Sequence, residues 1–374
     1  MGNDEIHSQV HTIDGYSYQD MFLGKIGGEG NNTPLYYVIQ KAICQFAAVK
    51  SPVEWIKGAR TSDDPFLMIL LRLNPIFFQS LSIMFLFYFF ARYHFFMAGV
   101  YSILVFVLTS THNWVCWAEA RPYALWTFLT FAQVLLFLRI LDLTEVKIKH
   151  FLWLTVIHLL LSLTVVLSLG QIGAVSVLLW IFKDRKLSKY VFLTIVPAIL
   201  CFYYYSRTIK DRYSVPFSFP HVIFAHIPAP HWILIIVFLV LALVFWIQLM
   251  INKKKIFCDS MNCVRLWRAT AIYVGLMFLM VLVSAVVFTL FTFWSSHGVA
   301  GNKIATRYWL FLTPIGIVGV VLIVSNLFKV FHEQYWMRIN LIILALGTLS
   351  LCYLDNYPLW AYLEFLKRHF GILS

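Results

Sequence analysis

Residues 123–140 read YALWTFLTFAQVLLFLRI, an apolar and aromatic run that carries one charge, Arg139, next to its end. About 20 helical residues cross the ~30 Å hydrocarbon core of a bilayer, and such a segment satisfies its backbone groups internally. The run is therefore read as a membrane span. Working outward, about nine comparable runs lie near 73–91, 95–111, 151–168, 170–183, 190–206, 232–251, 270–293, 308–328 and 339–354. The pair around Gly170 is one apolar stretch broken only by Gly170, Gln171 and Gly173.

Composition agrees with a lipid-embedded chain. Of 374 residues, 61% are hydrophobic and 12% charged, against about 25% charged in soluble proteins. That balance excludes an ordinary soluble enzyme, a disordered chain and a disulfide-rich secreted scaffold. The net charge of +12 sits mostly in short gaps between apolar runs, where it marks topology and anionic-lipid contact rather than nucleic-acid binding. Cys44, Cys116, Cys201, Cys258, Cys263 and Cys352 form no zinc or redox motif. His158, Cys258 and Cys263 are read as packing locally, and no metal cluster is expected.

Alternate loops hold the basic residues: Arg92; Lys147 and Lys149; Lys183, Arg185, Lys186 and Lys189; Lys253–Lys255, Arg265 and Arg268; Lys329 and Arg338. These loops face the cytoplasm by the positive-inside rule. Residues 1–70, 112–122, 207–231, 294–307 and the C-terminal tail then face outward. The expected fold is an all-α polytopic helix bundle of about ten spans (71–374), preceded by an outward loop (1–70) with interfacial helices. An outward start without a signal peptide leads us to expect a further helix upstream of Met1.

Within the loop, Leu35, Tyr36, Ile39, Ile43, Phe46 and Ala47 fall on one face of a helix over 33–49, with Gln40, Lys41 and Lys50 off that face. Such a helix lies in the interface plane, started by Pro34 and capped by Thr33. A second short helix is expected from Pro52 to Gly58. Asn31 also heads an N-x-T sequon, weakened by Pro34.

Chemistry belongs in the outward loops, because charge beside lipid is costly unless hydrated or paired. Asp4-Glu5 is an adjacent acidic pair, suited to a general base when partly desolvated, though it also reads as a solvated tail. Glu119-Ala120-Arg121-Pro122-Tyr123 places a guanidinium one residue before the proline that starts a span. A helix N-terminus and a guanidinium fork both suit a phosphate, and an interface-anchoring Arg with flanking aromatics is the plainer alternative. His297, Lys303 and Arg307 repeat the idea at a later mouth, where Arg307 again leads into a helix.

Read in order, these segments resemble the polytopic GT-C glycosyltransferases, particularly the dolichyl-phosphate-mannose protein mannosyltransferases and the bacterial aminoarabinose transferases. The matching pieces are Asp4-Glu5, Thr33-Pro34-Leu35-Tyr36-Tyr37, Leu71-Arg72-Leu73, Glu119-Ala120-Arg121-Pro122-Tyr123-Ala124-Leu125, and Arg307-Tyr308 with Pro314. Asn32 and Thr33 stand where the family has His and a first Pro. The resemblance implies a polyprenyl-phosphate-linked sugar as donor substrate and no cofactor. It implies Asp4 as catalytic base with Glu5 in support, and Arg121, Tyr123, Lys303 and Arg307 as donor-phosphate ligands. Tyr36, Glu119 and His297 would line the substrate site. It also implies a bacterial inner membrane, with the ER membrane as alternative, and membrane lipids and other membrane subunits as partners. Two other readings stand beside it: a non-catalytic subunit that retains the fold, and a transporter, for which matched broken repeats are not evident.

Overall fold

The computed structural model describes residues 8–25, 32–47, 65–107, 116, 118–143, 145–182, 188–208, 272–273, 275–288, 290 and 309–330. Among them the chain forms helices joined by short turns and bends, with an isolated bridge between Asn32 and Val165. A π-helical segment, Ser8–Asp14, leads to α1 (Tyr18–Phe22) and α2 (Leu35–Phe46). Then come α3 (Pro65–Tyr93), α4 (Phe96–Val107), α5 (Tyr123–Asp142), α6 (Ile148–Thr164), α7 (Leu169–Phe182) and α8 (Ser188–Thr208). Helix α9 (Gly275–Phe288) and α10 (Leu312–Val330) complete the set.

Three of the ten runs, within Ile69–Tyr93, Tyr123–Asp142 and Lys189–Thr208, form helices long and apolar enough to cross a membrane. Five others form apolar stretches of 10–17 residues. The runs near 232–251 and 339–354 lie outside the described residues. The ambiguous stretch 151–183 resolves into two helices. Val165 takes an extended conformation and Val166–Ser168 makes one 3-10 turn before α7 begins.

Two compact units divide the chain. The first comprises 1–82, 115–218 and 278–311, the second 83–114, 219–277 and 312–374. In the second, α4 packs on α10, and the Tyr273 hydroxyl donates to the Ile315 carbonyl at 2.7 Å. Gly99 approaches the Phe87 carbonyl so closely that a Cβ would stand 2.9 Å from it.

In the first unit, side-chain pairs fix the relative directions of α6, α7 and α8. Phe151 stacks on Tyr190 with ring centres 6.0 Å apart, and His158 Nδ1 donates to the Thr194 carbonyl at 3.1 Å. Helices α6 and α8 therefore run parallel. Trp180 meets Phe192 and Ser176 meets Thr194, so α7 runs antiparallel to α8. Trp126, Thr130 and Gln133 all reach Gln171, so two turns of α5 meet α7 near its start.

The N-terminal segments cover one end of this unit. The Thr33 amide donates to the Thr164 carbonyl at 3.1 Å, and the Tyr204 and Tyr205 hydroxyls donate to the carbonyls of Leu23 and Phe22. On α2, Cys44 shares a buried apolar cluster with Leu70, Leu71 and Ala120. The start of α3, the segment leading into α5 and the last turns of α6 and α8 thus lie at the same end. Gly24, at φ 67°, holds the tight turn against Thr208.

Two local expectations are corrected. Thr33 does not cap α2, since its hydroxyl donates to the Ser162 carbonyl at 2.9 Å and Pro34 occupies the cap position without a capping side chain. The buried face of α2 is Tyr36, Tyr37, Gln40 and Cys44, whereas Phe46 is 95% exposed. Gln40 turns inward because α3 offers polar partners: its amide donates to the Leu71 carbonyl at 3.4 Å and accepts from Asn74 at 3.2 Å. The expected helix at Pro52–Gly58 lies outside the described residues.

Candidate functional site

Pro122 explains the geometry at the mouth of α5. Its fixed φ suits a helix start, and it supplies no capping side chain, so the first turn of α5 is left without a side-chain cap. The Arg121 amide folds back onto the Glu119 carbonyl at 2.8 Å. That bend sets the Arg121 guanidinium over the Tyr123 ring, 5.8 Å from its centre. Both side chains are buried, Arg121 at 5% exposure. A guanidinium in such a setting interacts more strongly with an anion than it would in water.

Ala120, one residue earlier, packs in the cluster that includes Cys44 of α2 and Leu70 and Leu71 of α3. Tyr36, about two turns before Cys44 on the same helix, is fully buried, its ring edge-on to Tyr37 at 5.5 Å. Of the residues expected at the site, Tyr36, Glu119, Arg121 and Tyr123 are therefore described, and all belong to the first unit. Asp4, Glu5, His297, Lys303 and Arg307 lie outside the described residues.

The segments that follow the two acid and base clusters are held in place. Lys41 of α2 donates to the carbonyls of Ile13 at 2.6 Å and Tyr16 at 3.0 Å, and its ammonium stands 5.8 Å from the Tyr18 ring. The Tyr18 hydroxyl donates to Gln45 at 2.6 Å. Chain shortly after Asp4-Glu5 is thus tied to α2. Nearby, the Lys25 ammonium bonds Asp20 at 2.6 Å. This bond, with the Ser17 hydroxyl, holds the Asp20 carboxyl below its ordinary pKa and raises that of Lys25.

Below Arg121, an aromatic row crosses the unit. Trp126 lies 5.8 Å from Phe311, Phe311 stacks on Trp309 at 5.9 Å, and Trp309 meets Phe288 at 4.6 Å. Trp309 directly follows Arg307-Tyr308 in the chain, and Phe311 stands two residues further on. The Trp126 indole donates to Gln171 at 3.2 Å, and Gln171 donates to Gln133 at 3.0 Å and to Thr130 at 3.3 Å. Gln133 Nε2 has no hydrogen-bond partner among the described residues.

This polar cluster is not evident from the sequence alone. Its signal was available, since glutamine inside an apolar run is costly unless partnered, but spacing alone does not say that positions 133 and 171 face each other. No group of three metal-ligating side chains occurs among the described residues. No family model, curated protein or solved structure matches the chain.

Proposed function

We propose that the chain is a multi-pass membrane glycosyltransferase that moves a hexosyl or pentosyl group from a polyprenyl-phosphate donor to an acceptor on the non-cytoplasmic side. The observation that carries the reading is the contact of Trp126 with Phe311. It joins the chain five residues past Arg121 to the chain four residues past Arg307. The resemblance to the GT-C enzymes supplies the chemistry.

In the proposed reaction, the acceptor hydroxyl or amine attacks the anomeric carbon and gives its proton to the Asp4 carboxylate, with Glu5 in support. The bond between that carbon and the phosphate oxygen breaks, and its electron pair stays on the departing polyprenyl phosphate. Charge therefore grows on phosphate in the transition state. Arg121, Tyr123, Lys303 and Arg307 are the groups assigned to stabilise it, an effect worth about 10²–10³ in rate for one well-placed donor. Tyr36, Glu119 and His297 are assigned to the sugar and acceptor. No cofactor is needed, because the lipid phosphate activates the sugar.

The apolar helices and the basic loops at alternate ends support residence in a membrane, the bacterial inner membrane first and the ER membrane second. Lipids and other membrane subunits are the partners that reading brings with it. Asp4→Asn and Arg121→Ala should each abolish sugar transfer in isolated membranes while leaving expression unchanged; full activity in both would refute the proposal.

A second reading, a non-catalytic subunit that keeps the fold, is favoured by the burial of Arg121 and Tyr123. It predicts that the wild-type chain transfers no sugar and co-purifies in a stable complex with another membrane protein.

A further inference from the structure

Helix α8 carries two separate faces. Val191, Thr194, Ala198, Phe202 and Tyr205 are buried against the first unit. Phe192, Leu193, Val196, Ile199, Leu200 and Tyr203 are exposed. Each end of the exposed face is marked by a cation on a tyrosine. The Lys189 ammonium lies 5.1 Å from the Tyr190 ring, and the Arg207 guanidinium lies 3.9 Å from the Tyr203 ring. Arg207 also donates to the Tyr203 hydroxyl at 2.6 Å.

The spacing of these cations is informative. Lys189 and Arg207 are 18 positions apart in the chain, which is about five turns and ~27 Å of helix. Both therefore lie on the same line along the helix, above the exposed apolar side chains. That separation is close to the ~30 Å thickness of bilayer hydrocarbon. Neither cation has a carboxylate partner among the described residues.

Each end also has basic company. The Phe151–Tyr190 stack brings the start of α6, with exposed Lys147 and Lys149, to the Lys189 end. At the other end, the Tyr204 hydroxyl donates to the Leu23 carbonyl, two residues before the exposed Lys25.

We propose that this face of α8 is a binding surface for acidic phospholipids, with acyl chains along Phe192–Tyr203 and headgroup phosphates of the two leaflets at Lys189 and Arg207. The phosphate at Arg207 takes the guanidinium N–H groups that Tyr203 leaves open, and tyrosine belongs at that depth because its ring is apolar and its hydroxyl wet. The inference rests on the reading of α8 as a membrane span, and it is independent of sugar transfer.

The test uses the full chain, extracted in a mild detergent, delipidated and titrated with phosphatidylglycerol, phosphatidylcholine or inorganic phosphate, with bound lipid read by native mass spectrometry. Phosphatidylglycerol should bind in preference to phosphatidylcholine, and inorganic phosphate should not compete. Lys189→Gln and Arg207→Gln should each weaken phosphatidylglycerol binding about fivefold, while Arg207→Lys should retain most of it. Equal binding of the two lipids, an unchanged preference in the double variant, or competition by inorganic phosphate would each overturn the inference. A chain that alkaline washing strips from membranes would overturn the span itself. A chain that resists washing but shows no lipid preference would overturn the docking surface alone.

Discussion

The rings of Trp126 and Phe311 lie 5.8 Å apart and tilted by 34°. Both side chains are almost fully buried. Trp126 has a second attachment, since its indole N–H donates to Gln171. One residue therefore couples an aromatic contact with the segment at 309–311 to a polar contact with α7.

Removing Trp126 should loosen both attachments. Trp126→Ala is expected to cost about 3–5 kcal/mol, as for a large core aromatic. Trp126→Phe keeps the ring contact and loses only the indole donor, for about 1 kcal/mol. Thermal unfolding in detergent, followed by loss of monodisperse protein, ranks the two; equal losses would mean that the ring contact contributes little.

Gln171 is the hub of the buried polar cluster, with three hydrogen-bonded partners against one for Gln133. Gln171→Leu leaves the Trp126 indole donor without its acceptor and the Gln133 carbonyl without its donor, at about 1–3 kcal/mol for an unsatisfied buried group. Gln133→Leu removes one bond together with an amide nitrogen that has no partner among the described residues, so its cost should be smaller. The comparison of the two melting temperatures decides this, and a larger loss for Gln133→Leu would contradict the assigned hub.

The helical character of the described residues and three helices long and apolar enough to span a membrane could be read from residue order, and the reasons differ by element. The run at 123–140 corresponds to α5 at Tyr123–Asp142, and the run at 190–206 to α8 at Ser188–Thr208. In both, apolar content and length decide, and a proline or basic residue marks an end. The buried face of α2 departs from its local apolar pattern because Gln40 finds its partners on α3, 31 and 34 positions away. No local pattern carries that information. At the candidate site, Pro122 marks the start of α5, while the burial of Arg121 and Tyr123 is a tertiary property that no local pattern shows.

Glycine contacts give a packing test with its own control. A Cβ on Gly170 would stand 2.6 Å from the Ser284 Cα and would also meet the Ser284 side chain. Backbone cannot yield cheaply, so Gly170→Ala should destabilise by about 1–3 kcal/mol. A Cβ on Gly275 meets nothing within 4 Å, so Gly275→Ala should be neutral or gain up to about 1 kcal/mol from helix propensity. Matching effects at the two sites, measured as melting temperatures, would rule out the close α7–α9 approach.

The Asp20–Lys25 pair gives a pH-dependent signal. Its hydrogen bonds favour ionised Asp20, so the folded-state pKa lies below the unfolded value. The sign follows: the pair's small stabilisation is present above the unfolded carboxylate pKa and is lost as pH falls through the folded one. Carbon-detected NMR of the Asp20 carboxyl should show a midpoint below the ordinary value of about 3.9, moving upward in Lys25→Met. An unshifted midpoint in the wild-type chain would show that the contact does not persist in solution.

The central claim is that Arg121 receives a lipid-linked phosphate, and binding tests it without knowledge of the sugar. Purified full-length chain in detergent should bind a short-chain polyprenyl phosphate, and Arg121→Ala should weaken that binding about 10- to 100-fold, the worth of one charged hydrogen-bond donor. Equal affinity of wild-type and Arg121→Ala protein for the polyprenyl phosphate would contradict the account.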